Sequence, residues 1–128
     1  MKLLLDTHTF WWMVHDDPQL SRHARDAIAN TANFVLCSDV TAWEIAIKSS
    51  LDRLTVPGRL DEWFSRHMGQ AGVERLPIGL EAISRVRELA WHHRDPFDRL
   101  LAATALAGDL TLVSRDDVFD AYGVPRVW

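Results

Sequence analysis

Apolar residues fall along this chain in short runs, separated by longer stretches in which they recur every three to four positions. Leu3-Leu4-Leu5, Phe34-Val35-Leu36-Cys37 and Leu110-Thr111-Leu112-Val113 have the length and composition of buried strands. Val73 to Ile78 reads as a further strand, placed at an edge or a strand end by Pro77, and Val124 to Trp128 as a last one. Between them the spacing predicts helices over Thr7–His15, broken by Asp16-Asp17-Pro18, and over Ser21–Ala29. Ser38 or Asp39 caps a helix that continues to Leu51, and Pro57-Gly58 turns the chain into another over Leu60–Met68. Leu80–Trp91 and Pro96–Ala107 are helical, the second stopped by Gly108, and a short helical turn follows over Asp116–Tyr122. Strands alternating with helices imply an α/β fold whose central sheet is mostly parallel.

No repeat, linker or low-complexity tract interrupts this pattern, so residues 1–128 are expected to form a single domain. The one cysteine, Cys37, lies in an apolar run, excludes an intrachain disulfide and reads as a small buried hydrophobe. The apolar run after Met1 ends at Asp6, too soon for a signal peptide, and no stretch approaches the roughly 20 apolar residues of a membrane span. A cytoplasmic protein with no membrane partner is the expectation. The formal net charge of −4 argues against a protein that coats nucleic acid, which is normally basic. It leaves room for a nuclease, because divalent cations can reverse the sign of an acidic site.

Most acids on a soluble chain are solvated, so the informative ones are those on apolar faces. Asp6 directly follows Leu3-Leu4-Leu5, at the C-terminal end of a strand, where open α/β sheets bind ligands. Glu44 shares a helical stripe with Val40, Ile47 and Leu51, so it points along the face that should bury. A glutamate at the edge of that stripe, or one paired with Lys48 four residues on, is the plainer reading. Asp98 aligns with Leu101, Ala102 and Ala105, while Asp95 and Pro96 have the marks of an N-cap and a first helical residue. Asp116 lies just past the Leu110–Val113 strand, and on spacing alone its neighbour Asp117 serves equally well.

Four carboxylates meeting at one end of a sheet repel one another unless cations occupy the space between them. Oxygen donors of this kind suit Mg²⁺ or Mn²⁺ in preference to zinc. Two such ions about 4 Å apart can activate water and stabilise a leaving oxygen in phosphodiester cleavage.

At these residues the sequence resembles the PIN-domain ribonucleases, and within them the VapC-type toxins of type II toxin–antitoxin pairs. The matching segments are Leu3-Leu4-Leu5-Asp6-Thr7-His8, Trp43-Glu44-Ile45-Ala46-Ile47-Lys48, Asp95-Pro96-Phe97-Asp98-Arg99-Leu100-Leu101-Ala102 and Leu112-Val113-Ser114-Arg115-Asp116. The closing Tyr122-Gly123-Val124-Pro125-Arg126-Val127-Trp128 fits the same subgroup, so the likeness spans nearly the whole chain. It implies a three-layer fold with helices flanking the sheet, a Mg²⁺ or Mn²⁺ site, and endonucleolytic cleavage of RNA, often transfer RNA. It also implies a cognate antitoxin and a homodimer. By position, the family's acids are Asp6, Glu44, Asp98 and Asp116. Ser114 stands where many relatives have threonine, and Val118 where many are acidic. The expected reaction is in-line attack of metal-activated water, leaving a 5′-phosphate and a 3′-hydroxyl.

Other residues take two readings each. Thr7 and Ser114 are candidates to hold carboxylates or waters behind the metal ligands. Arg99, Arg115 and Lys48 are candidates for RNA phosphate contacts, with surface solvation or helix pairing equally open. His92-His93 lacks the i, i+4 spacing of a helical metal pair and reads as surface. The tryptophans suggest packing first, with Trp11, Trp12 and Trp63 as candidates for a partner interface. A haloacid-dehalogenase-type phosphotransferase needs an aspartate where His8 stands, and a receiver module needs an acid pair at the first strand. The remaining alternative is a catalytically silent PIN-like module that binds RNA or protein.

Overall fold

Five strands line up in the order β3-β2-β1-β4-β5, and every pairing is parallel. They are β1 (Lys2–Leu5), β2 (Phe34–Ser38), β3 (Glu74–Leu76), β4 (Thr111–Val113) and β5 (Arg126–Val127), and the computed structural model describes residues 1–128. The helices are α1 (Thr7–Val14), α2 (Arg22–Ala29), α3 (Asp39–Ser50), α4 (Leu60–Ala71), α5 (Leu80–Val86), α6 (Pro96–Gly108) and α7 (Val118–Ala121). None is long and apolar enough to cross a membrane.

Strand alternation builds three layers. Leu3 and Leu5 of β1 turn to one face, with Val35, Cys37 and Val113, and pack against Phe10 and Trp12 of α1, Ala24 of α2 and Phe64 of α4. Leu4, Leu36 and Leu112 turn to the other face, against Ala82 of α5, Leu101, Ala102 and Ala105 of α6, and Phe119 of α7. Helix α3 contributes to both sides, Ile45 to the first cluster and Val40 to the second. A sheet covered on both faces explains why its strands are continuous apolar runs.

The strand order places the site. From β1 the chain moves to β2 and β3 on one side, then returns to β4 and β5 on the other. The order therefore reverses at the β1–β4 seam, where Leu5 pairs with Val113 and the C-terminal strand ends open a crevice. Asp6 leaves β1 at that seam and Ser114 leaves β4 beside it.

The strands expected over Val73–Ile78 and Val124–Trp128 and the turn over Asp116–Tyr122 each shorten by one or two residues at either end, and three helix ends move for visible reasons. Helix α4 runs to Ala71, three residues beyond Met68, and closes on Gly72 in the left-handed region at φ 66°. Helix α6 includes Gly108, and Asp109 takes the left-handed cap instead, at φ 51°. A side chain at Gly108 would lie 3.1 Å from Leu110 Cγ, so packing selects that glycine. Helix α5 ends at Val86, short of Trp91, because carbonyls in this region turn towards a buried arginine described below.

Candidate active site

Asp6 is at once the N-cap of α1 and a buried acid, 5% exposed. Its Oδ1 accepts from the Thr9 N–H at 2.7 Å, and its Oδ2 accepts from the Ser114 hydroxyl. Burial nevertheless raises its pKa above the ordinary aspartate value, against the pull of those hydrogen bonds. Ser114 also accepts from the Asp116 N–H at 3.0 Å, so one hydroxyl ties the turn after β4 to the end of β1.

Glu44 is buried on α3, 2% exposed, and both sequence readings hold together. Lys48 Nζ lies 2.6 Å from its Oε2, while Oε1 is buried with no hydrogen-bond partner. The stripe expected to bury with it does so only in part. Val40 is buried, but Ile47 and Leu51 are exposed, and the covered face of α3 runs through Val40, Thr41, Glu44 and Ile45.

Asp98, in the first turn of α6, carries the clearest electrostatic signature. Its pKa is pushed up to about 8, first by burial and then by the negative charges of Asp95, Asp6, Glu44 and Asp116. All four acids named from the sequence thus act on one small region, joined by Asp95. Asp95 caps α6 through a 2.8 Å bond from the Phe97 N–H. Asp116 is half-exposed, and it lines a cleft of about 360 Å³ with Asp6, His8, Trp12, Arg115 and Asp117. Asp117 therefore reaches the cleft as well.

A buried carboxylate oxygen without a donor and an aspartate driven towards protonation both describe a site short of positive charge. The donors are hard oxygens, the set a divalent cation such as Mg²⁺ or Mn²⁺ takes. In metal-free protein the shortage affects stability. A folded-state pKa of about 8 against a usual 3.8 means that this contribution is complete below about pH 4 and is lost as pH rises towards 8. We expect metal-free stability to fall between pH 5 and pH 8 by on the order of 2 kcal/mol, after allowing for a side chain 21% exposed, and the melting temperature to fall with it. Asp98→Asn should flatten the slope, and a melting temperature that rises over that interval would contradict the account.

Several neighbours differ from expectation. Thr7 holds no carboxylate; its hydroxyl meets that of Thr41 at 3.2 Å. Arg115 stacks over Trp12, 4.7 Å from the ring centre, at the wall of the cleft. Arg99 is not at the surface. It is 3% exposed and donates to the carbonyls of Val86, Leu89, Ala90 and His93 and to the Tyr122 hydroxyl, at 2.9–3.4 Å. No acid pairs with it; it serves carbonyls at and beyond the end of α5, where the helix dipole is negative. Trp12 and Trp63 are buried, packed against Trp128 and Phe10, with Trp12 also facing the cleft, while Trp11 is only half-buried.

His93 is the site residue that sequence reasoning missed. Its Nε2 lies 2.9 Å from Asp98 Oδ2 and 3.6 Å from Asp116 Oδ2. His92 packs edge-on against Tyr122 instead. The i, i+4 spacing of a helix does not apply to this pair, since residues 87–95 lie outside any helix. The available signal was the five-residue spacing from His93 to Asp98 across a helix start.

The same fold recurs in solved structures. A chain of the VapBC2 complex from Rickettsia felis, bound to a DNA fragment from its promoter, superposes with a TM-score of 0.72 at 15% identity, covering 98% of this chain and 97% of that one. DNA-bound VapBC from Salmonella typhimurium gives 0.67 at 22% identity over 98% and 96%. FitAcB from Neisseria gonorrhoeae gives 0.57 at 21% identity over 97% and 95%. No curated protein matches the sequence. The PIN domain profile, however, matches residues 3–125, which takes in every strand but the last and all the acids just described. With that match and the acids at the β1–β4 seam, the chain belongs to the PIN domain family, whose members are generally nucleases.

Proposed function

We propose that this protein is a divalent-metal-dependent endoribonuclease, formed by one domain over residues 1–128, and the toxin of a toxin–antitoxin pair. The observation that carries the reading is the convergence of Asp6, Glu44, Asp98 and Asp116 on one region, felt together in the raised pKa of Asp98. In this reading Asp6 and Asp98 are the principal ligands, and Glu44 and Asp116 complete the acid set. A bound Mg²⁺ or Mn²⁺ supplies the Lewis acidity that phosphodiester hydrolysis needs. The chain's own residues supply position: Ser114 and the Thr9 N–H hold Asp6, and Lys48 holds one oxygen of Glu44. Arg115, stacked on Trp12 at the cleft wall, offers a cation to an RNA phosphate.

Two apolar surfaces on the helices support the partner readings. Met13, Leu20, Ile28, Ala29 and Ala71 line an apolar hollow of about 200 Å³ between α1, α2 and α4, suited to an antitoxin segment. The similar VapBC structures, which are assemblies, favour that occupant. Trp43, Ile47 and Leu51 leave an exposed apolar stripe on α3, which we assign to a second copy of the chain. A monomeric mass at sedimentation equilibrium would reject that assignment. Cytoplasmic RNA is the substrate this reading requires.

Purified protein incubated with total RNA should cleave it with Mg²⁺ or Mn²⁺ and stop in EDTA. Absent or EDTA-insensitive cleavage would leave a silent binding module as the better description. Growth arrest on expression without a co-encoded small partner, relieved by that partner, tests the toxin role.

A further inference from the structure

Between α5 and α6 the chain runs without helix from Arg87 to Asp95, yet it is fastened at several points. Arg99 takes the carbonyls of Leu89, Ala90 and His93, and the Tyr122 hydroxyl accepts from the His93 N–H at 2.9 Å. These contacts fix the backbone that carries the imidazole. The ring has a partner of its own: Nδ1 accepts from the Asp95 N–H at 3.0 Å. A nitrogen that accepts there commits its lone pair, so the neutral ring carries its one proton on Nε2. Nε2 lies 2.9 Å from Asp98 Oδ2 and 3.6 Å from Asp116 Oδ2, a close polar contact that lacks the alignment of a hydrogen bond.

His93, Asp98 and Asp116 bring possible ligand atoms within 4.8 Å of one another, which invites a three-ligand metal site. The tautomer opposes it. To ligate through Nε2 the ring would have to carry its proton on Nδ1, setting two donors against each other across the 3.0 Å to the Asp95 N–H. We propose that His93 is a positioning residue and not a metal ligand: the Asp95 N–H locks the tautomer with its proton on Nε2, and that edge of the ring lies against Asp98, holding its carboxylate in place by close polar contact. Asp95 thus has two duties, its side chain capping α6 and its backbone N–H setting the proton on His93. Only the consequence for metal binding rests on the nuclease reading; the tautomer does not.

Long-range ¹H–¹⁵N correlation on the metal-free protein reads the tautomer directly. The Nε2–H form is expected, and an Nδ1–H form overturns the proposal. In Mn²⁺-loaded protein, pulsed EPR should show no directly bonded ¹⁴N, and a coupling that disappears in His93→Gln overturns it. His93→Ala should weaken Mn²⁺ binding about tenfold. His93→Gln, whose amide can still donate, should restore it to within about threefold. Unchanged affinity in the alanine variant, or no rescue by glutamine, counts against the positioning role. Should the unaltered protein bind no Mn²⁺, the nuclease reading fails, and the tautomer still decides His93.

Discussion

Asp6→Asn should lower metal-dependent RNA cleavage on the order of 10³-fold or more while leaving the fold intact. Asparagine is as good an N-cap as aspartate, so the 2.7 Å bond from the Thr9 N–H survives the change. The amide also remains within reach of the Ser114 hydroxyl, which can rotate to accept instead of donate. What disappears is a negative charge that burial already disfavours. Metal-free Asp6→Asn should therefore melt at the same temperature as the parent or higher. A thousandfold loss corresponds to about 4 kcal/mol of transition-state stabilisation, reasonable for removing a charged metal ligand. Cleavage assays with and without EDTA, beside thermal melts, separate the two effects. Activity within tenfold of the parent would remove Asp6 from the catalytic set. A large fall in melting temperature would make its role structural.

Arg99→Ala is the substitution expected to cost the most stability. The guanidinium satisfies four carbonyls and a phenol at a point only 3% exposed. Truncation strands those carbonyls and leaves a void under Trp91, whose ring lies 3.8 Å from the guanidinium carbon. Unfolding free energy should drop by about 3–5 kcal/mol. Arg99→Lys should recover only part of the loss, because a single ammonium cannot span carbonyls that a planar fork reaches together. Urea denaturation measures both, and an alanine variant within about 1 kcal/mol of the parent would show that water replaces the arginine. Amide exchange should quicken first in residues 87–93, the segment the fork gathers.

The contrast between Asp6 and Arg99 shows what was legible in the sequence. Asp6 could be placed because strand, acid and helix cap adjoin along the chain, so local grammar located it at a strand end. Asp98 was legible for the same reason, through Asp95-Pro96 and the small-residue stripe that follows. Arg99 lies one residue further on and was invisible, because its partners are backbone carbonyls from a segment no side-chain pattern describes. Charged residues are seldom fully buried, so a solvated reading was the natural one. His93 is obscured in turn, because it sits in a non-helical segment whose path is set by the carbonyls that the same arginine gathers. On α3 the difficulty was phase: apolar residues lie on several sides of that helix, so Ile47 and Leu51 competed with Ile45 for the buried face. Glu44 was still identified, since it lies near the boundary of both stripes.

The Ser114 hydroxyl joins the two ends of the molecule, bridging to Asp6 across 108 positions of sequence. Ser114 is itself anchored late: its N–H donates to the Val127 carbonyl, and its own carbonyl accepts from Arg126. Asp6 therefore waits on a partner made 108 residues after it. Contacts between such distant positions also bear the largest loop-closure penalty, so they form late even in a released chain. The acid cluster is thus among the last features of this fold to be assembled, and a chain interrupted before Ser114 would leave Asp6 without that partner.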